Sequence, residues 1–211
     1  MAKSKRKHQV TGIILAGGSS TRIGKNKAFL QLGSRLVIEH TISRVVEVVD
    51  DLLLVANNVE EYRDLRVEPM KLVQDVIPYR GPLGGILSGL EISTTPINLI
   101  VACDMPFLNP LLLNFLLRQI HGYDAVIPMT EAGPEPLHAV YTKSCLPAIR
   151  ESMSQDETRI ISFFNQVKIR YVGQENLQIY DPENFSLFNI NTLEDLERAR
   201  EILGRIQEGI P

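Results

Sequence analysis

The segment Leu15-Ala16-Gly17-Gly18-Ser19-Ser20-Thr21-Arg22-Ile23-Gly24-Lys25-Asn26-Lys27 gathers glycines, hydroxyls and cations in one loop. Glycines let the backbone approach a ligand closely and aim successive N–H groups at an anion, while Arg22 and Lys27 can neutralise phosphate charge. The combination reads as a triphosphate cradle, and the same composition also serves an ordinary strand-to-helix turn. It is not a Walker-type loop, because Gly18 and Gly24 enclose five residues rather than four and Lys25 is followed by Asn26 rather than Ser or Thr. A second segment, 98–106, is an apolar run that ends on Asp104 and turns at Pro106. One carboxylate at the end of a buried strand suits Mg²⁺, which takes one or two carboxylates and completes its shell with water and substrate phosphates. Taken alone, Asp104 reads equally well as a turn residue. A third segment, 73–86, carries Asp75 and the turn Gly81-Pro82-Leu83-Gly84-Gly85. Asp75 can accept hydrogen bonds from a base or ribose, with the glycines giving a flat ring access to backbone, or it can simply cap the turn.

These residues need strands and helices to hold them. Short apolar runs predict strands at 10–16, 52–56, 72–73, 98–102, 125–127 and 138–141, and between them the spacing predicts helices at 36–49, 83–92 and 110–120. Val37, Thr41, Val45 and Val48 share one stripe, and Asn109 stands as the N-cap of the third helix. Strand-helix alternation implies an α/β domain with a mostly parallel sheet and helices on both faces, its binding loops beyond the carboxyl ends of the strands. The pattern loosens after residue 128, with a polar helix candidate at 158–165. A final helix, 192–203, opens with a capping box of Thr192 and Asp195.

Composition narrows the class. Of the 211 residues 44% are hydrophobic and 22% charged, the range of an ordinary folded domain. A formal net charge of −3 gives no reason to expect nucleic-acid binding. Cys103 and Cys145 have neither CxxC partners nor adjacent histidines, which excludes a disulfide framework and a zinc site. No apolar stretch approaches the length of a membrane span, and the basic start has no apolar signal segment behind it, so the expected location is cytoplasmic. One domain is expected over 10–211, preceded by a basic tail at 1–9. His8, His40, His121 and His138 are scattered, and Cys103 is expected to pack as a small apolar group.

Five motifs in order, Leu15-Ala16-Gly17-Gly18 with Arg22-Ile23-Gly24 and Lys27, Gly81-Pro82-Leu83-Gly84-Gly85, Cys103-Asp104-Met105-Pro106, Glu135-Pro136-Leu137-His138-Ala139-Val140-Tyr141 and Phe188-Asn189-Ile190-Asn191-Thr192, resemble the molybdenum cofactor guanylyltransferase family. The resemblance implies a Rossmann-like nucleotidyltransferase fold and an Mg²⁺-dependent transfer of GMP from GTP to the phosphate of molybdopterin-bound molybdenum, with pyrophosphate released. It implies that Leu15, Ala16 and Gly17 contact the guanine nucleotide, Lys27 and Arg22 clamp its phosphates, Asp75 engages the nucleoside and Asp104 binds both nucleotide and Mg²⁺. Asn189 and Asn191 would face the acceptor, with Glu135 and His138 on the same side, and cofactor-delivery proteins or apo-molybdoenzymes would be partners. One departure stands out. The family usually places Asp before Lys27, and Asn26 here is expected to weaken the organisation of that lysine. Asn57 lies near the place of a nucleoside-contacting Asn without being clearly aligned to it. Competing readings are a related nucleotidyltransferase acting on another base or acceptor, and a carrier that binds GTP or cofactor without turnover.

Overall fold

The computed structural model describes residues 9–16, 26–65, 67, 70–77 and 80–208. Gly17 and Arg22, and the basic stretch through residue 8, lie outside the described residues. In chain order, β1 (Val10–Leu15) is followed by a hairpin of β2 (Gln31–Leu32) and β3 (Arg35–Leu36), then α1 (Val37–Val45) and β4 (Asp51–Ala56). Next come β5 (Met70–Gln74), α2 (Gly81–Ile92), β6 (Ile97–Ala102), α3 (Pro110–Arg118), β7 (Ala125–Thr130), β8 (Gly133–Pro134) and β9 (His138–Thr142). The chain closes with α4 (Leu146–Ser154), β10 (Ile169–Val172), α5 (Gln174–Tyr180) and α6 (Leu193–Gln207).

Runs without polar alternation belong to strands covered on both faces, and all of β1 is buried. The sheet runs β10-β7-β9-β6-β1-β4-β5, with β8 paired to β7. β1, β4, β5 and β6 are mutually parallel, whereas β9 is antiparallel to both β6 and β7. The strand order reverses between β1 and β6, since the chain first builds outward through β4 and β5 and then returns to the far side of β1. Such a switch opens a crevice beyond the carboxyl ends of the strands.

Neighbouring side chains of β1 feed different cores. Ile14 packs with α1 and α3 through Ile42, Val45, Leu112 and Leu116. Ile13 and Leu15 pack with α2 and α4 through Ile86, Leu90 and Ile149. A smaller cluster joins Leu32 of the hairpin to Phe107, Ile190 and the inner face of α6. The helix α2 lies close on β1: a methyl added at Gly89 would stand 2.6 Å from Ile13 Cγ2, and one at Gly85 3.2 Å from Leu15 Cδ2.

Two helical expectations change form. α1 ends at Val45, yet Val48 and Val49 remain buried in the turn that follows. The segment expected as a polar helix is a 3-10 run over Ile160–Gln166, with Ile160 and Phe163 buried. A spacing of three puts these on one side of a 3-10 turn.

Candidate functional site

The carboxyl ends of β1, β4, β5 and β6 open into a cleft of about 540 Å³. Its walls include Leu15 and Ala16 after β1, Val55 and Asn57 at the end of β4, Asp75 after β5, and Ala102, Cys103 and Asp104 after β6. The amino end of α2 closes one side with Gly81, Pro82 and Gly85. Gly81 has φ +68, a left-handed conformation that favours glycine, and Pro82 then starts the helix without wasting a donor. The first turn of α2 carries no acidic side chain, so the partial positive charge at the helix's amino end is not offset by its own residues.

Lys27 and Asp104 face each other with Nζ and Oδ2 3.7 Å apart, and Lys27 Nζ donates to Asn191 Oδ1 at 2.8 Å. Burial pushes the Asp104 carboxyl above its ordinary value, opposed by the charge of Lys27. Asn189 and Asn191 both line the cleft, and Ile190 between them is fully buried against α6. An alternation of period two does this: the apolar residue anchors the segment while its neighbours turn toward the cleft. The Ile190 N–H also donates to the Asp104 carbonyl at 3.0 Å, which ties the segment carrying the two asparagines to Asp104.

Asp75 is 6% exposed. Its Oδ1 accepts from the Ile77 N–H at 3.0 Å and from the Ser88 hydroxyl at 2.8 Å, which fixes the carboxylate against the first turns of α2. Asp75 thus caps the turn, and it also lies in the cleft wall. Asn57, which sequence alone left unaligned, lies in the wall at the end of β4.

Asn26 has partners of its own beside Lys27. Its Oδ1 accepts from the Ala28 N–H at 3.1 Å and caps the 3-10 turn Lys27–Phe29, while its Nδ2 donates to Glu61 Oε2 at 3.0 Å and to the Tyr62 hydroxyl at 2.8 Å. The Tyr62 hydroxyl in turn donates to the Ala16 carbonyl at 2.9 Å. An aspartate at 26 would set one carboxylate against another, so the amide is the better partner for Glu61.

The sequence-derived residues divide. Leu15, Ala16, Lys27, Asp75, Asp104, Asn189 and Asn191 meet in the cleft, whereas Glu135 and His138 are not in its wall. Glu135 lies between β8 and β9, half buried, and burial raises its carboxyl. His138 departs from its expected place facing an acceptor: its ring is fully buried on β9, with Nε2 2.9 Å from Ser186 Oγ. That hydroxyl oxygen also accepts from the Asn109 N–H, and the Ser186 N–H is held by Asp181 Oδ2. His138 thus braces the chain just before Asn189. Burial pushes its imidazole down to about 4, which keeps it neutral at neutral pH. Cys103 packs against the first core, as expected of a small apolar group, and also reaches the cleft wall; burial lifts its thiol far above the ordinary range.

Among the described residues no group of three or more His, Cys, Asp or Glu side chains is placed to cage a metal. One carboxylate with amide oxygens nearby fits a hard cation that brings its own waters and is shared with substrate phosphates, such as Mg²⁺. It does not fit a closed structural site.

Comparison with known proteins agrees with this geometry. Residues 12–169 match the model of the MobA-like NTP transferase domain. The chain is similar to the probable molybdenum cofactor guanylyltransferase of Pelotomaculum thermopropionicum, 38% identical over 92% of that protein and 91% of this chain. It is likewise 38% identical to the molybdenum cofactor guanylyltransferase of Desulfosudis oleivorans, over 98% of that protein and 93% of this chain. Among solved structures, molybdopterin-guanine dinucleotide biosynthesis protein A of Archaeoglobus fulgidus superposes with a TM-score of 0.81 at 29% identity, covering 92% of this chain and 99% of that one.

Proposed function

The chain belongs to the family of MobA-like NTP transferase domains, and on that premise we propose that it transfers GMP from GTP to the phosphate of molybdopterin carrying molybdenum, releasing pyrophosphate. The observation that carries this reading is the meeting of Lys27 and Asp104 at the strand switch point, with Asn189 and Asn191 entering from the C-terminal segment. One side of the cleft, formed by the ends of β1, β4 and β5 and the start of α2, suits a nucleoside triphosphate. The side formed by Asn189 and Asn191 suits the acceptor.

An acceptor phosphate oxygen attacks the α-phosphorus of GTP; the new O–Pα bond forms as the bond from Pα to the bridging oxygen breaks, and pyrophosphate departs with that electron pair. The acceptor phosphate is already ionised at neutral pH, so a strong general base is not required. Positioning and charge neutralisation are the protein's contribution. Lys27, tied to Asn191 and beside Asp104, neutralises phosphate charge from a fixed position. The amino end of α2, which lines the same cleft, adds positive potential. Asp75 holds the nucleoside, with Ser88 fixing its rotamer. Asp104 would hold Mg²⁺, which when bound supplies Lewis-acid neutralisation of phosphate oxygens. Arg22 joins the clamp in this reading. We place the reaction in the cytoplasm. Among the described residues no helix is long and apolar enough to cross a membrane.

Replacing Asp104 with Ala is expected to lower turnover by about a thousandfold or more, and Lys27→Met by about a hundredfold, with unfolding midpoints unchanged. Turnover of Asp104→Ala equal to wild type at saturating Mg²⁺ would remove the metal role.

A further inference from the structure

Thr41 sits in the middle of α1 with its side chain fully buried among apolar neighbours, where a valine would fill the same space. A helix-interior threonine ordinarily returns its hydroxyl to the carbonyl four residues back. Here that carbonyl, Val37 O, is 3.4 Å away, while the carbonyls of Cys103 and Met105 are both 3.1 Å from Thr41 Oγ1. The hydroxyl is diverted from its own helix to the loop after β6, and the two carbonyls it reaches flank Asp104 on either side.

From this geometry we infer that Thr41 is the positioning residue for Asp104, holding its carboxylate at the angle at which it meets a divalent cation and the nucleotide phosphates. One proton shared between two converging carbonyls curls the backbone at 103–105, and the side chain of the residue between them is left facing the cleft. The Ile190 N–H takes the remaining carbonyl of the triplet, that of Asp104 itself. Three consecutive carbonyls are thereby fixed, and a carboxylate on a backbone so constrained loses little further freedom when it coordinates a metal. The inference rests on the role proposed above for Asp104.

The test is the metal-dependent gain in nucleotide affinity, read without turnover. Binding of guanosine 5′-[α,β-methylene]triphosphate to the full chain is measured by calorimetry with Mg²⁺ and with EDTA, for wild type, Thr41→Val, Thr41→Ser, Thr41→Cys and Asp104→Ala. Thr41→Val is expected to keep the affinity seen in EDTA and to lose about three- to tenfold of the gain conferred by Mg²⁺, the range of one hydrogen bond. Thr41→Ser retains the gain. Thr41→Cys, whose thiol is a poor donor of similar size, behaves as Val does and replaces it should Val fail to fold. A full gain in both Val and Cys variants, with Asp104→Ala having lost it, overturns the role of Thr41 alone. A full gain in Asp104→Ala overturns the metal assignment on which that role depends. An equal loss with and without Mg²⁺ marks Thr41 as a general packing residue and also overturns the inference.

Discussion

Between pH 7 and pH 5 the buried imidazole of His138 should cost the protein about 2 kcal/mol of folding stability. An exposed histidine in the unfolded chain titrates near 6.5, whereas burial of the native ring pushes it down to about 4. The native state stays neutral while the unfolded state gains a proton, so stability is full above 6.5 and is lost as pH falls toward 4. The whole effect is on the order of 3 kcal/mol, of which about 2 kcal/mol is realised by pH 5. The buried carboxyls of Asp104, Glu135 and Asp181, which burial raises, contribute with the opposite sign as pH falls. Wild type must therefore be compared with a variant. In His138→Gln the amide nitrogen can stand where Nε2 stands and keep the bond to Ser186, but it does not titrate. Urea unfolding of both proteins at pH 7, 6 and 5 gives two slopes, and the wild-type loss should exceed the variant's by about 2 kcal/mol. Equal slopes would show that His138 is solvated and charged like an ordinary surface histidine, which would also return it to consideration as an acceptor ligand.

Other consequences can be checked directly. Asn26→Asp should destabilise the chain by about 1 kcal/mol and raise KM for GTP, and adding Glu61→Gln should recover much of both; no recovery would dismiss the contact to Glu61. Ser88→Ala should raise KM for GTP about three- to tenfold with kcat little changed, since it frees the Asp75 rotamer; unchanged KM would mean that Asp75 is held sufficiently by Ile77. Gly89→Ala should lower the thermal midpoint by several degrees, a cost of about 1–3 kcal/mol for driving a methyl into Ile13, while KM for GTP stays at the wild-type value; an unmoved midpoint would contradict the close packing of α2 on β1.

Much of the sheet was legible because its strands announce themselves. β4 is an apolar run after Asp51, and β1 and β6 are apolar apart from Thr11-Gly12 and Asn98; the polar residues just beyond β4 and β6, Asn57 and Asp104, fall where ligands bind in such sheets. Asn109 and Thr192 cap the helices at which they were expected, through bonds to Leu111 and Asp195. The edge strand β10 escaped notice because two of its four residues are exposed and its apolar content is split between Ile169 and Val172. α4 was hidden by Pro147 near its start, and α5 by a mostly polar sequence that buries Leu177 alone. At the site, the residue types were readable but their partners were not. Nothing local to Thr41 tells that its hydroxyl serves a loop 62 residues away, and its place on an apolar stripe argued for packing alone. The partners of Asn26 are hidden for the same reason, since Glu61 and Tyr62 become its neighbours only when β1 and β4 lie side by side. His138 carries the residue type of a ligand, and only the strand it sits on shows that it faces the core.

The central assignment is that GTP and metal-loaded molybdopterin react with each other in this cleft. Pyrophosphate release should be measured with each of the four ribonucleoside triphosphates, in Mg²⁺, with and without metal-loaded molybdopterin. Release from GTP alone, and only when the pterin is present, is the expected result. Release from a different triphosphate, or no release from any, would contradict the assignment, the first by changing the donor and the second by leaving a binding protein without turnover.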